Sequence, residues 1–305
     1  MMAIDSNFKN TTREALLDNQ KNFEGSDQQF AKKWSINGAV WSRIKKGQID
    51  GVLADRHWIN IARELGVGVH QRQWQPARTA VFTQIESEIN FCQENSKSMI
   101  YVDDCEIGKT FTAKYLSRSL RNCFYVDASQ AKTKCEFVRK LARAVGIDPS
   151  GKYAELKDDV KYYLKFITKP IVIVDEAGDL EYSAFLELKE FWNATEGVCG
   201  WYMIGADGLR AKIEKGIRNQ KVGYRELFSR FSGNFRSTVP VGRQEKLAFY
   251  QTLIRTVLEA NMTDKSSLNE IVKRCITKDT QDNIGGLRRA ESLLMLHQQS
   301  EKQNQ

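Results

Sequence analysis

Two stretches decide the fold: residues 98–116, SMIYVDDCEIGKTFTAKYL, and residues 170–180, PIVIVDEAGDL. The first starts as a short apolar run, passes through a loop ending Gly108-Lys109-Thr110, and continues in a helical pattern. A loop that opens a helix aims backbone N–H groups and the positive end of the helix dipole at an anion, so strand–loop–helix is a phosphate site. Gly108 lies in that loop. Lys109 is placed to reach the β- and γ-phosphates of ATP, and the Thr110 hydroxyl to hold Mg²⁺. In the second stretch, Ile171 to Val174 is continuously apolar and β-branched, as a strand buried on both faces requires. Asp175 at its tip orients the Mg²⁺ ligands. Glu176 is then positioned to polarise an attacking water as general base. The competing reading is an ordinary core strand followed by a solvated acidic turn; the order of the two stretches argues against it.

The loop departs from the usual phosphate pattern. Asp103 stands where the first glycine is expected, and Glu106 where a second is common. Glycine there supplies positive φ and close backbone approach. Asp103, Asp104 and Glu106 also place carboxylates near a bound anion, which Coulomb repulsion opposes. Nucleotide binding is expected to survive this, while the rate of hydrolysis is left open.

A length of 305 residues implies two or three domains. The net charge of +8 favours an anionic partner, with nucleic acid first among the choices and a merely soluble basic surface as the alternative. Six scattered cysteines without a CxxC pair predict reduced thiols, no zinc site and a cytoplasmic setting. His57 and His70 stand apart from other ligand types, which argues against a metal role. No apolar stretch approaches a membrane span and no signal-peptide core is present.

Along the chain, residues 1–22 are polar and receive no function. Residues 28–36 and 38–46 read as two short helices, with Asn37 capping the second and Gly47 ending it. This is a helix-turn-helix spacing, resembling that of phage repressors in Phe30-Ala31, Ile36-Asn37, Trp41-Ser42-Arg43-Ile44 and Gly47. Val40 or Trp41 and Ile44 would pack inward, leaving Asn37, Ser42, Arg43, Lys45 and Lys46 for DNA. A small helical bundle for protein contact is the alternative. Residues 55–65 read as a packing helix and 68–78 as a linker, with Trp74 as a staple or an adenine stack.

Beyond the phosphate loop, strands are expected at 122–128, 200–206 and 237–241, and helices at 79–95, 134–145, 158–168 and 182–195. Alternating strands and helices imply a parallel sheet covered on both faces. Lys132, Arg139 and Arg143 form a candidate basic face for DNA, or a solvated surface. Asp207 at a strand tip is the candidate γ-phosphate sensor. Arg230, or its neighbour Arg225, is the candidate arginine finger acting on the adjacent subunit's nucleotide; a salt bridge or DNA contact is the alternative. From 244 the pattern is wholly helical and reads as a lid, with Arg288 placed to reach back to the γ-phosphate.

These pieces together resemble an AAA+ ATPase of the initiator-like branch, and most of all the phage Mu transposition protein B family. The resemblance rests on the helix-turn-helix at 26–47, the phosphate loop, Asp175-Glu176, Ser229-Arg230-Phe231 and Gly286-Leu287-Arg288. It implies an all-α N-terminal domain (1–67), a linker (68–78), an α/β AAA+ core (79–242), a helical lid (243–299) and a tail (300–305). It also implies a weak ATPase in a bacterial host cell that uses ATP and Mg²⁺ and forms a helical homo-oligomeric filament on double-stranded DNA. The family hands that DNA to a transposase of the integrase type. A helicase loader or replication-initiation factor is the rival, and a nucleotide-binding DNA regulator without hydrolysis a second.

Overall fold

The structure, a computed structural model, describes residues 4–21, 23, 25–65, 67, 74–277 and 284–303. Of the expected linker only 74–78 is described; His70 and the end of the expected tail lie outside the described residues.

Five parallel strands form the centre: β1 (Ser98–Val102), β2 (Cys123–Asp127), β3 (Ile171–Asp175), β4 (Gly200–Gly205) and the two-residue β5 (Phe235–Arg236), in the order β2-β3-β4-β1-β5. β4 is therefore inserted between the phosphate-loop strand and the acidic strand. All strands run the same way, so their C-terminal tips share one edge. Neighbouring strands lie about 4.8 Å apart, so the tips of β1 and β3 are separated by about 10 Å. That spacing brings the two decisive stretches to one site.

Alternation along the strands builds two cores. Ile100, Val102, Val126, Val172, Val174, Trp201 and Met203 face one side, while Tyr101, Ile171, Ile173, Tyr202 and Ile204 face the other. Both faces need cover, and the helices supply it.

The N-terminal part of the described chain holds α1 (Ser6–Lys21), α2 (Asp27–Lys33), α3 (Gly38–Lys45) and α4 (Asp55–Leu65). They share one apolar cluster built on Leu16, Phe30, Trp41, Ile44, Trp58 and Ile61. Ser26 caps α2 in a reciprocal box with Gln29, and the Asn37 side chain accepts from Ala39 N–H to start α3. α1 is a correction to the sequence reading, which gave residues 1–22 no role. Its Arg13 donates from Nε to Ile44 O at 2.6 Å and from Nη2 to Lys45 O at 2.8 Å, closing the C-terminus of α3. A cation at that end meets the carbonyls that the helix leaves unpaired.

The remaining helices are α5 (Ala80–Asn95), α6 (Lys109–Ser119), α7 (Lys134–Val145), α8 (Tyr153–Phe166), α9 (Tyr182–Ala194), α10 (Asp207–Arg218), α11 (Tyr224–Arg230), α12 (Arg243–Asn261), α13 (Leu268–Ile276) and α14 (Leu287–Gln303). Residues of α7 to α11 pack on the first face of the sheet, and residues of α5, α6 and α12 on the second. The last three helices join a separate apolar cluster through Ile254, Leu258, Ile271, Val272, Ala290 and Leu294.

Three expectations move. The helix expected at 158–168 begins earlier, at Tyr153, because Leu156, Val160 and Leu164 all lie on its buried face. Lys132 precedes the N-cap of α7, Thr133, so it does not share a helical face with Arg139 and Arg143. The strand expected at 237–241 is replaced by β5; the N–H groups of Thr238 and Val239 go to a side chain instead of a ladder. Trp74, expected as a staple or an adenine stack, packs its ring against the C-terminal apolar cluster, as a staple would, and donates from Nε1 to Glu291 Oε1 at 2.7 Å.

Trp41 is fully buried beside Phe30, with ring centroids 5.0 Å apart. Trp41→Ala is expected to destabilise the N-terminal helices by about 3–5 kcal/mol. Urea denaturation followed by circular dichroism should show an early transition that the wild-type protein lacks.

Candidate nucleotide site

The site forms at the C-terminal edge of the sheet. Gly108 is the N-cap of α6 with φ +95°, a left-handed backbone that glycine adopts without strain. It contributes no side-chain acceptor to the first turn of the helix. The first-turn N–H groups therefore point toward the loop mouth, the arrangement that receives phosphate. Lys109 and Thr110 open this helix. The Lys109 ammonium donates to Asp103 O at 2.9 Å and also to Asp104 O. Burial lowers its pKa, while nearby Cys105, Asp103, Glu176 and Asp175 oppose that shift. Such a lysine holds its charge inside the loop and has only backbone carbonyls to give up when an anion arrives.

Asp175 is buried at the tip of β3, 1% exposed. Tyr125, from the neighbouring β2, donates its hydroxyl to Oδ2 at 2.8 Å, and Glu176 N–H donates to Oδ1 at 3.0 Å. Each oxygen keeps a lone pair, so the carboxylate is oriented rather than consumed. Together with the Thr110 hydroxyl this is a hard-oxygen donor set that suits Mg²⁺. Glu176 follows at φ +50°, a strained conformation for a non-glycine residue and one that clusters at functional sites. Desolvation and the adjacent Asp175 charge raise its pKa. A carboxylate tuned upward is a better proton acceptor for a water.

The acidic residues of the loop, which on sequence oppose phosphate, are each tied elsewhere. Asp103 is 6% exposed, and its Oδ2 accepts from Thr238 N–H at 2.6 Å, Val239 N–H at 3.0 Å and the Tyr101 hydroxyl at 2.9 Å. Its Oδ1 accepts from Asp104 N–H at 2.9 Å. Asp104 Oδ2 accepts from the Tyr250 hydroxyl at 3.0 Å and pairs with Lys246 at 2.5 Å, both on α12. Glu106 takes φ +61°, and its carbonyl accepts from Leu287 N–H at 2.8 Å. The position thus has the left-handed backbone that glycine would supply, and a glutamate fills it.

Arg288 at the start of α14 lies 3.8 Å from Glu106 and is largely exposed. The structure therefore gathers Gly108, Lys109, Thr110, Asp175, Glu176 and Arg288. Asp207 is exposed in the first turn of α10 just past the tip of β4. Arg230 is elsewhere. Its guanidinium stacks on Trp192 at 5.2 Å, and Trp192 donates to Ser98 Oγ at the opposite end of β1. Arg230 does not reach the phosphate loop of its own chain. One of its nitrogens, Nη1, is buried without an acceptor among the described residues, and Arg225 is exposed nearby.

The DNA candidates divide by engagement. Ser42, Arg43 and Lys46 are exposed on α3, with Arg43 donating to Gln48 at 2.9 Å. Asn37 is used as a cap and Lys45 is ion-paired with Asp27. Arg139 and Arg143 are exposed on α7, and Lys132 lies 3.7 Å from Asp179. Sequence reasoning missed Tyr125, Lys246, Tyr250 and the 238–239 segment. The i, i+4 spacing of Lys246 and Tyr250 was the available signal, since it puts both on one helix face.

The fold and site define a phosphate-loop nucleotide-binding α/β core. The AAA domain family matches residues 93–213, which run from the end of α5 through both decisive stretches. Comparison with curated proteins gave no match. Among solved structures, the chain is similar in fold to the Aeropyrum pernix Orc1 protein in complex with DNA, with TM-score 0.56 and 14% identity over 76% of this chain. The likeness spans 62% of that chain. No helix among the described residues is long and apolar enough to cross a membrane.

Replacing Asp103 removes the acceptor of three partly buried backbone N–H groups, those of Asp104, Thr238 and Val239, while the Tyr101 hydroxyl keeps only its contact with Thr238 Oγ1. Asp103→Gly, which restores the common loop pattern, is therefore expected to destabilise the protein by about 2–3 kcal/mol. Chemical denaturation checks this; unchanged or increased stability would contradict the anchoring role.

Proposed function

We propose that the protein is an ATP-dependent DNA-binding ATPase that assembles on duplex target DNA with low sequence specificity. In this reading it delivers that DNA to an integrase-type transposase and stimulates strand transfer. The observation that carries the nucleotide half is the placement of Lys109 and Thr110, at the start of the helix that follows β1, and of Asp175 and Glu176, at the tip of β3, on the same edge of the sheet. Lys109 and the first-turn N–H groups of α6 bind and orient the triphosphate. Mg²⁺, held by Thr110 and Asp175, would neutralise charge between the β- and γ-phosphates. Glu176 takes a proton from the attacking water. Arg288 would sense the γ-phosphate from α14. Asp207, near the tip of β4, is the candidate polar sensor.

Arg230, remote from its own loop, fits a role on a neighbouring subunit's nucleotide. That would make assembly depend on ATP and make hydrolysis a release signal. On the DNA side, Ser42 and Arg43 on α3, Lys46 at its C-cap and the Arg139–Arg143 face of α7 are exposed where phosphates could reach them. The net charge of +8 supports the same partner. The transposition reading rests on the resemblance in motifs and in element order, with the helix-turn-helix spacing first. A second reading, replication initiation or helicase loading, is favoured by the likeness to an Orc1 protein bound to DNA.

Lys109→Ala is expected to abolish ATP retention, whereas Glu176→Gln should retain ATP but lose turnover, measured by nucleotide binding and phosphate release with and without duplex. Turnover should fall as pH drops and Glu176 becomes protonated. Because its pKa is raised, that loss should be centred above the value of about 4.3 for an unperturbed glutamate. Background phosphate release that Lys109→Ala leaves unchanged would remove the ATPase reading. Strand-transfer assays with the cognate transposase, against helicase-loading assays, separate the two client readings.

Arg43→Ala and Lys46→Ala should weaken duplex binding uniformly across sequences and each reduce the salt slope by about 1. Lys45→Ala should have a smaller effect, its charge being shared with Asp27.

A further inference from the structure

The phosphate loop holds three carboxylates where a triphosphate site would ordinarily have none or one. Asp103 is sealed into the core. Asp104 and Glu106 are treated differently, because their partners come from the C-terminal helices. Lys246 and Tyr250 of α12 meet the Asp104 carboxylate at 2.5 Å and 3.0 Å. The start of α14 lies against Glu106: Leu287 N–H donates to its carbonyl, and Arg288 approaches its carboxylate at 3.8 Å. The contact at Gly286 is tight. A Cβ there would lie 2.5 Å from the Glu106 Cβ and 2.9 Å from its carbonyl oxygen. Two helices thus grip two successive parts of one short loop.

We propose that docking of α12 and α14 covers the charges of Asp104 and Glu106, and that undocking these helices uncovers them and expels the bound triphosphate. The proposal rests on the nucleotide reading of the site. A carboxylate within one turn of the phosphates repels them by Coulomb's law, and the repulsion is strong where water is partly excluded. With Lys246 and Arg288 in place, the loop presents little net negative charge. With the helices withdrawn, it presents two uncovered carboxylates beside Lys109. Nucleotide retention is then coupled to helix position, and any partner that pulls on α12 or α14 accelerates nucleotide release. This gives the carboxylates of Asp104 and Glu106 a function. A glycine-rich loop would hold phosphate whether or not the C-terminal helices were docked.

The test uses the full chain and a fluorescent ATP analogue with Mg²⁺, reading affinity by titration and dissociation by stopped flow. Lys246→Met combined with Tyr250→Phe uncovers Asp104 while keeping side-chain volume. We expect about tenfold weaker binding, mostly through faster dissociation. Adding Asp104→Asn to that double variant should restore wild-type affinity, and Lys246→Arg alone should behave as wild type. The weakening should also shrink at about 0.5 M salt, where charge interactions at the surface are screened. Restoration by Asp104→Asn distinguishes electrostatic coupling from loss of packing, because removing a further hydrogen-bonding group from a purely structural contact cannot rescue it. If the double variant binds as the wild type does, or if Asp104→Asn fails to restore binding, the coupling is wrong and the nucleotide site stands. If the wild-type protein and Lys109→Ala both fail to retain the analogue, both readings fall.

Discussion

The Asp103 carboxylate, buried where β1 runs into the phosphate loop, accepts hydrogen bonds from four groups, the adjacent Asp104 N–H and three that come from two different parts of the chain. Tyr101 belongs to the same strand, whereas Thr238 and Val239 belong to the segment that leads from β5 toward α12. The base of the loop, the edge of the sheet and the approach to the C-terminal helices are joined at this one side chain. A buried charge is tolerated only when its lone pairs are filled, and here backbone N–H groups fill them. Every later feature of the site depends on a loop whose start is fixed in this way.

Around that anchor the sheet brings two half-sites together. A parallel order with β4 between β1 and β3 sets the tips of those two strands at one edge, about 10 Å apart, so that the loop carrying Lys109 and the carboxylate of Asp175 face one site. Tyr125 then turns Asp175, and the left-handed backbone at Glu176 turns the next carboxylate away from the strand axis. Neither feature adds much stability. Both fix direction, which is what a site acting on charge that develops during reaction needs.

A second buried carboxylate, paired with a half-exposed arginine, supports the same edge. Glu88 on α5 is 6% exposed and accepts from Arg236 Nε at 2.9 Å, from the Tyr202 hydroxyl at 2.7 Å and from Gln84 at 2.8 Å. It holds the short strand β5 against α5 although β5 itself has only two residues. The segment carrying Thr238 and Val239 thereby starts from a fixed point. This explains how so short a strand can position the N–H groups that Asp103 requires.

Much of this was legible in the residues taken alone. The phosphate-loop helix, the β-branched run ending at Asp175-Glu176 and the alternation of strands with helices are local patterns, and local patterns set strand and helix periods directly. What sequence could not give was the destination of the acidic loop residues. Asp103 and Glu106 read as defects, because the groups that meet their carboxylates lie 135 and 182 positions away, at Thr238 and Arg288. Arg230 read as a finger for a neighbouring subunit's nucleotide, and the tertiary arrangement sets it at the end of β1 away from its own phosphate loop. Periodicity and propensity act over a few residues, whereas a carboxylate's charge is decided by whatever the folded chain brings within hydrogen-bonding distance. The sequence by itself determined the sheet, its helices and the chemistry at the strand tips; the tertiary structure alone decided which charges face the nucleotide and which are already spoken for.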